Sequence, residues 1–243
     1  MRSMRPAKPL ILITLAALAL ALFACASRDV PPPPESLTVT EAQLTRFLGA
    51  DYVKMTPVPG APGRLAWRKP GLDPKQYTRV LLSPTVLWQE HGLAKESGVD
   101  PEELKALAGY FDTVLKKALT DIEFPLADAP GPRTLRIEAA ITSVRASRPA
   151  MNTISSVLPV GILMSLGRAA TGGKDPSVGA CTIEIRFSDA ATGEVLGLFA
   201  DHKDGDKYDS ANFSKLGQAE KAMDDWAQRL RQGILKNWGT RQD

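Results

Sequence analysis

Two segments in the second half of the chain show the two-residue periodicity that is typical of half-buried β-strands. Residues 135–142 place an apolar side chain at every second position, and residues 181–188 do so more clearly. The turn-forming segment from Asp189 to Glu194 contains a glycine and leads into a third apolar run at 195–200. The last two runs are therefore predicted to form a β-hairpin.

Two other segments repeat apolar residues at helical spacing. The first has a strong helix start, because Asp100 can cap the helix, Pro101 suits its first position and Glu103 completes a capping box. Its apolar face then comprises Leu104, Leu107, Phe111, Leu115 and Ala118. A charged C-terminal segment predicts a second amphipathic helix, whose apolar face comprises Ala219, Met223, Trp226, Leu230 and Ile234.

A further β-rich run, Tyr77 to Leu82, lies between Pro74 and Pro84 and is predicted to be a short strand. The elements then follow the order β-α-β-β-β-α. The helices and strands each have one apolar face, and two packed layers can bury these faces together. We therefore predict a single α+β domain, with a mostly antiparallel or mixed sheet of about four strands and two helices packed on one face.

The first 24 residues have the composition of a secretory signal. Three basic residues lie within the first eight positions, and an uncharged run of mostly Leu and Ala follows from Leu10 to Phe23. These fourteen residues are too few to span a bilayer comfortably, which takes about 20. The junction Leu22-Phe23-Ala24-Cys25 resembles the lipobox of bacterial lipoproteins. This resemblance implies cleavage before Cys25 and acylation of its sulfur, which makes Cys25 the predicted lipid attachment site.

The signal and the anchor divide the chain into three predicted parts. Residues 1–24 form the lipoprotein signal peptide, residues 25–44 the lipidated cysteine and a proline-rich spacer, and residues 45–243 an α+β periplasmic domain. The four prolines at 31–34 favour an extended spacer. In lipoproteins with this motif, Asp after the cysteine goes with retention at the inner membrane, whereas Ala26 follows here. We therefore expect the inner leaflet of a Gram-negative outer membrane, facing the periplasm.

The charge balance argues against nucleic-acid binding. The chain has 30 Lys and Arg and 27 Asp and Glu, but three of the basic residues lie in the signal, so that 27 basic residues stand against 27 acidic ones afterwards. Nucleic-acid binding needs a concentrated positive field, which this composition does not provide.

The sequence offers no recognisable catalytic, cofactor or metal site. Cys181 is the one cysteine after Cys25; it shares a strand face with apolar residues and is expected to be buried and unreactive. His91 and His202 lie far apart and are expected on exposed loops. The aspartates between 201 and 209 fail the calcium-loop order and are expected in a solvated turn. We therefore expect a protein that is not an enzyme and holds neither a cofactor nor a metal.

Several motifs occur together in an order that resembles one protein family. They include FLGADY at 47–52, YTRVLLSP at 77–84 and DAATGEVL at 189–196. With Trp88, they resemble a family of proteobacterial lipoproteins classed as a domain of unknown function (number thirty-three thirteen), over roughly residues 45 to 240. The resemblance implies an envelope location and an α+β domain, and it supplies no activity and no catalytic residues.

A segment without charged residues runs from Pro149 to Gly167, between two predicted strands, where connections usually take about 2–6 residues. It is too apolar for a solvated loop, and contiguous apolar patches usually mark interaction sites. Three interpretations stay open: a buried flap over the sheet, a contact surface for a protein or a membrane, or a membrane-inserting hairpin in a ring. The candidate interaction surface comprises Ile154, Val157, Leu158, Val160, Ile162, Leu163 and Met164.

The anchor, the spacer and the lack of a catalytic motif indicate a membrane-anchored periplasmic lipoprotein. We expect a non-enzymatic adaptor or accessory subunit of a cell-envelope complex, which binds the membrane through its lipid and has an envelope protein or a further copy of itself as partner. The alternative is an oligomeric scaffold or pore-like outer-membrane assembly that uses the apolar segment 150–167.

Lipidation is directly testable. Cells fed with labelled palmitate should incorporate the label into the wild-type protein, because the lipobox places acyl chains on Cys25. The Cys25→Ala variant should lose the label completely. Cys181→Ala is the matched control and should keep the label, because that cysteine is expected in the core. Label that persists in Cys25→Ala would contradict the predicted attachment site.

Overall fold

The computed structural model describes residues 46–147, 178–206 and 209–238. Within these ranges the chain forms one mixed β-sheet, with helices packed against one of its faces. The strands and α-helices, in chain order, are β1 (Thr56–Pro57), β2 (Arg64–Arg68), β3 (Arg79–Leu82), β4 (Val86–Leu87), α1 (Glu90–Ser97), α2 (Pro101–Thr120), β5 (Thr134–Arg145), β6 (Ala180–Asp189), β7 (Val195–Asp204) and α3 (Gly217–Trp238). Short 3-10 helices lie at Gly49–Lys54, Pro74–Gln76 and Ser210–Phe213.

The sheet of the described residues has seven strands in the order β1-β2-β7-β6-β5-β3, and β4 also pairs with β5. Across the sheet, the neighbouring pairs β1–β2, β2–β7, β7–β6 and β6–β5 are antiparallel. Strands β3 and β4 run parallel to β5. The predicted α+β class with a mixed sheet is therefore confirmed. The four predicted strands correspond to β3, β5, β6 and β7, and they lie in the predicted chain order relative to α2 and α3.

The predicted count of about four strands is wrong, because β1, β2 and β4 extend the sheet. Strands β1 and β4 have two residues each, and β2 has five. Such short strands carry too few side chains for a two-residue periodicity to stand out. No sequence pattern indicated α1, which has eight residues and is capped by Gly98 in the left-handed conformation, with φ of 64°.

Helix α2 begins as its sequence predicts. The Asp100 carboxylate accepts a hydrogen bond from the backbone N–H of Glu102 at 2.8 Å, and the Glu103 side chain accepts one from the backbone N–H of Asp100 at 3.1 Å. The predicted apolar faces of α2 and α3 pack together on the sheet and form the main core. The rings of Phe111 in α2 and Trp226 in α3 meet edge to face, with centroids 6.2 Å apart.

The β6–β7 hairpin is confirmed, and it contains a β-bulge that matters for the rest of the structure. Phe187 pairs with Gly197, but Ser188 pairs with Val195, so that Leu196 is the extra residue of β7. A bulge of this kind changes which residues of a strand face each side of the sheet. Beyond it, Leu198 and Ala200 pack on the side opposite the helices, in a second apolar cluster.

A buried carboxylate organises this second face. Glu184 of β6 is fully buried, and its Oε2 accepts a hydrogen bond from the backbone N–H of Leu48 at 3.0 Å. Its Oε1 lies 3.6 Å from Nη1 of Arg46, which also donates to the hydroxyl of Tyr52 at 3.0 Å. The same segment buries Leu48, Tyr52 and Met55 against β7. Glu184 therefore fixes residues 46–55 to the outer face of the sheet.

Burial away from water raises the pKa of Glu184 above its ordinary value of 4.5, although the Leu48 N–H and the Arg46 guanidinium act in the opposite direction. The folded protein therefore holds the Glu184 proton more tightly than the unfolded chain does. The stability that comes from this proton is complete below pH 4.5 and is lost as the pH rises through the folded pKa.

Replacing Glu184 with Gln tests this pH dependence. At pH 7 the Glu184→Gln variant should be more stable than the parent, because it keeps an acceptor for the Leu48 N–H without a buried negative charge. The advantage should shrink as the pH falls and disappear below about pH 4.5, as measured by urea unfolding of both proteins at each pH.

The matched control is Glu96→Gln, which removes an exposed carboxylate from α1. Its free energy of unfolding should stay within about 0.5 kcal/mol of the parent at both pH values. A Glu184→Gln protein that is less stable than the parent at pH 7 would contradict the account, because the carboxylate would then stabilise the fold in its charged form.

Candidate functional site

An apolar cleft of about 300 Å³ lies between the C-terminal half of α3 and the sheet. Its floor consists of side chains from β5 and β6 and of the bulged part of β7. Its roof is α3, and its sides are β2 and residues 72–77. The side chains that give the cleft its apolar character include Trp67, Tyr77, Ile137, Ile185, Phe187, Phe199, Leu230 and Ile234.

Two tryptophan side chains hold α3 down at the two ends of the cleft. The indole Nε1 of Trp226 donates a hydrogen bond to the carboxylate of Asp201 at 2.9 Å. The indole Nε1 of Trp238 donates to the backbone carbonyl of Tyr77 at 2.6 Å. These residues are twelve positions apart, which corresponds to about 18 Å along a helix axis. The helix is therefore fixed at two points, and the cleft lies between them.

Asp201 accepts the hydrogen bond at the first of these two attachment points, that of Trp226. It is 2 % exposed, and its Oδ2 also accepts hydrogen bonds from the Arg64 guanidinium, at 2.9 Å from Nη2 and 3.2 Å from Nε. A buried carboxylate needs such donors, since an unpaired buried charge is strongly destabilising. The expectation of a solvated turn is wrong for Asp201, because β7 continues to Asp204 instead of ending near Ala200.

The second attachment point, where Trp238 bonds to Tyr77, is part of another hydrogen-bond network. The Tyr77 hydroxyl donates to the Asp189 carboxylate at 3.1 Å, and that carboxylate also accepts from the backbone N–H groups of Ala191 and Thr192. Burial, together with the Asp189 carboxylate, raises the pKa of Tyr77 to about 12. Tyr77 therefore stays protonated at any physiological pH. The ring of Phe124 meets that of Trp238 edge to face, with centroids 5.8 Å apart.

The hollow under α3 depends on Gly233. Trp226, Leu230 and Gly233 are spaced seven and three residues apart, so that they share one face of the helix. At Gly233, a Cβ atom would meet no atom within 4 Å, and the residue lines the cleft. Glycine inside a helix costs about 0.5–1 kcal/mol relative to alanine. The sequence therefore leaves space at a position where a larger residue would both favour the helix and fill the cleft.

The mouth of the cleft is positively charged. Arg68 from β2 and Arg229 from α3 are exposed residues of the lining, and the lining contains no Asp or Glu among the residues that the structure describes. The Arg68 guanidinium donates to the side-chain oxygen of Asn237 at 3.2 Å and to the carbonyl of Leu72 at 2.9 Å, and both acceptors are neutral. The cleft thus combines apolar walls with a few polar groups at its opening, which is typical of small-molecule sites.

The sequence-predicted site residues lie elsewhere. Cys25 falls outside the described residues. So does the whole candidate interaction surface, namely Ile154, Val157, Leu158, Val160, Ile162, Leu163 and Met164. Cys181 is 1 % exposed in the main core, so that its predicted burial is confirmed, and this burial raises the pKa of its thiol to about 12.

The two histidines and the acidic residues do not converge on a centre. His202 lies on β7 rather than on a loop, and its Nδ1 is 2.8 Å from the Thr182 hydroxyl. His91 belongs to α1. In the three described ranges, no three His, Cys, Asp or Glu side chains come together in a way that could hold a metal ion. Within those same ranges, no helix is long and apolar enough to cross a membrane.

Sequence reasoning did not find the cleft, although it identified the helix above it. The signal was Gly233, which lies between Leu230 and Ile234 on the apolar side of the predicted C-terminal helix. A glycine within an otherwise regular apolar stripe indicates either a close approach or a hollow. The structure shows that it is a hollow.

Comparison with curated proteins finds relatives of undescribed role. The chain is 28 % identical over 153 residues to the "Uncharacterized lipoprotein YdcL" of Escherichia coli strain K12, and equally to that of Escherichia coli O157:H7. The alignment covers 63 % of this chain and 64 % of each relative, so that it spans slightly less than two thirds of their length.

Comparison with solved structures finds distant similarity to other proteins. A PelC dodecamer from Paraburkholderia phytofirmans is 10 % identical with a TM-score of 0.39, and covers 74 % of this chain and 99 % of that chain. A minor lipoprotein from Acinetobacter baumannii is 13 % identical with a TM-score of 0.31, and covers 66 % of this chain and 94 % of that chain. At scores this low, no conclusion about this chain follows from them.

The family model described as "Protein of unknown function (DUF3313)" matches residues 44–230. This range contains all seven strands of the sheet and most of α3, and it agrees with the resemblance seen in the ordered motifs. The match covers well over half of the sequence, and the chain therefore belongs to the DUF3313 family.

Proposed function

We propose that this protein is a non-enzymatic, lipid-anchored lipoprotein that serves as a ligand-binding accessory subunit of a cell-envelope complex. The observation that carries the proposal is the apolar cleft of about 300 Å³ under α3. Its two ends are fixed by indole hydrogen bonds, and its middle is left open at Gly233. A largely pre-formed apolar cavity with few polar groups is the usual form of a small-molecule site.

The chemistry around the cleft favours binding over catalysis. Tyr77 has a pKa of about 12 and already donates to Asp189, so that it is a poor general base or nucleophile. Asp201 is engaged by Arg64 and Trp226. The thiol of Cys181 has a raised pKa and lies in the core. Tyr77 and Asp201 stabilise the walls of the cleft, and none of the three groups is arranged as a nucleophile beside a base.

The proposed location rests on the N-terminal motif and on the relatives. The lipobox-like junction at Cys25 agrees with the Escherichia coli relatives, which are named as lipoproteins. Two or three acyl chains anchor a protein stably, because each buried methylene contributes about 0.8 kcal/mol. With Ala26 after the cysteine, we place the anchor in the inner leaflet of the outer membrane, with the domain in the periplasm.

The adaptor role adds a partner protein to the ligand. Its support is the uncharged segment from Pro149 to Gly167, which is too apolar for a solvated connection and lies outside the described residues. A strictly monomeric mass in detergent fits an adaptor that meets its partner in the envelope. A discrete ring-sized mass would instead favour the oligomeric scaffold or pore-like alternative.

Binding of an apolar probe tests the cleft. Full-length protein in phosphatidylcholine liposomes should bind the neutral dye N-phenyl-1-naphthylamine saturably, with energy transfer from the cleft tryptophans Trp67, Trp226 and Trp238. Gly233→Leu should weaken that binding by about tenfold or more, since its side chain fills the open space under the helix. Gly233→Ala should weaken it less, because it adds only one carbon atom.

The matched control is Gly109→Leu, which makes the same substitution at an exposed position of α2 where a Cβ atom would also meet nothing within 4 Å. It should bind the dye like the parent, and both leucine variants should keep the parent's far-UV circular dichroism. Equal dye binding by folded Gly233→Leu and Gly109→Leu would contradict the proposed role of the cleft.

A further inference from the structure

We infer that the ligand of the cleft is the acyl chain of a single-chain anionic amphiphile, whose head group binds at the mouth beside Arg229 and Arg68. This inference rests on the proposed function and specifies the ligand class. Two features of the site carry it. One is the apolar character of its walls, and the other is the pair of arginine charges at the opening, which have no acidic partner among the described residues.

The walls suit one flexible hydrocarbon chain. The volume of about 300 Å³ lies at the lower limit of ligand sites, which favours one acyl chain over a two-chain lipid. The polar atoms nearest to the interior are already bonded: the indole groups of Trp226 and Trp238 and the hydroxyl of Tyr77 each donate to a protein acceptor. No free N–H or O–H donor of these three groups is left for a polar ligand, so that the apolar interior suits methylene groups.

The mouth suits a negative head group. Arg229 is exposed and makes no hydrogen bond or ion pair within the described parts of the chain. Arg68 is held in place by Asn237 and Leu72, but its charge is not neutralised by either group. The two arginines come from α3 and β2, that is, from the roof and one side of the cleft. The two exposed guanidinium groups therefore border the opening, and a carboxylate or a phosphate there would lie beside positive charge.

The acidic residues close by in α3 are already engaged elsewhere. Asp224 accepts a hydrogen bond from the Tyr110 hydroxyl at 2.8 Å, and Asp225 pairs with Lys203. On the other side, Glu194 pairs with Lys69, the residue next to Arg68. The protein thus has carboxylates around the cleft but directs them to other partners, which leaves the two arginine charges at the mouth for a ligand.

The test compares ligands that differ only in the head group. Full-length protein in phosphatidylcholine liposomes is titrated with 11-bromoundecanoic acid and with 11-bromoundecanol, whose bromine quenches tryptophan fluorescence in the cleft. At matched free concentrations the acid should bind about fivefold more tightly than the alcohol, because exposed ion pairs are individually modest. Arg229→Glu should abolish this preference for the acid.

The matched control is Arg79→Glu, which makes the same charge change at an exposed arginine of β3 outside the cleft lining. It should keep the preference for the acid. Competition experiments distinguish a phosphate head group from a carboxylate head group. Lysophosphatidic acid, which has a single acyl chain, and undecanoic acid are each tested for displacement of the bromoacid. Stronger competition than by undecanoic acid assigns a phosphate head, and weaker competition assigns a carboxylate head.

Each contrary outcome has a distinct meaning. Equal affinities for acid and alcohol, with loss of both in Gly233→Leu, would overturn the anionic head group while the cleft remains a binding site. The absence of any saturable quenching would overturn the proposed function itself. Quenching that appears only after residues 150–167 are deleted would overturn the inference in favour of the chain's own segment. Quenching that appears only on dilution to the monomer would overturn the inference in favour of a second copy of the chain.

Discussion

The structure around the cleft depends on two indole hydrogen bonds from one helix. Trp226 donates to the buried Asp201, and Trp238 donates to the carbonyl of Tyr77. Buried donors that lose their partners are costly, so that these two bonds fix where α3 lies on the sheet. The part of α3 between these two bonds passes over the cleft, and Gly233 leaves the space below the helix open. The cleft thus follows from strong attachment at two ends and an omitted side chain between them.

The opposite face of the sheet is held by a different device. There a single buried carboxylate, Glu184, accepts the Leu48 N–H and lies near the Arg46 guanidinium. The bulge at Leu196 links the two faces, because it brings Leu198 and Ala200 to the N-terminal segment and lets Asp201 meet α3. The sheet is therefore covered on both sides, and its β7 strand contributes to both. This arrangement leaves a rigid floor for the cleft, while the Glu184 cluster makes the stability of the fold depend on pH.

The long elements could be predicted from the sequence, and the site could not. The capping box at Asp100, the apolar faces of α2 and α3 and the turn before Glu194 are all local patterns, and local patterns survive in the fold. Strands β1 and β4 have two residues each and exist only through their partners. Asp201 was expected in a turn, because the residues beside it in the sequence indicate neither the bulge nor the full length of β7. The cleft arises from α3, four strands and the segment 72–77, so that only Gly233 carried a local trace of it.

On the inference drawn from the cleft, the space under α3 holds an acyl chain in the cell. The most direct measurement is photolabelling of cells that make the full-length protein and have been fed a fatty acid with a diazirine near its methyl end. After irradiation and digestion, mass spectrometry should place the adducts on cleft residues such as Leu230 and Ile185, and Gly233→Leu should remove them. Adducts spread over the exposed surface, or adducts on the cleft that survive Gly233→Leu unchanged, would contradict the account.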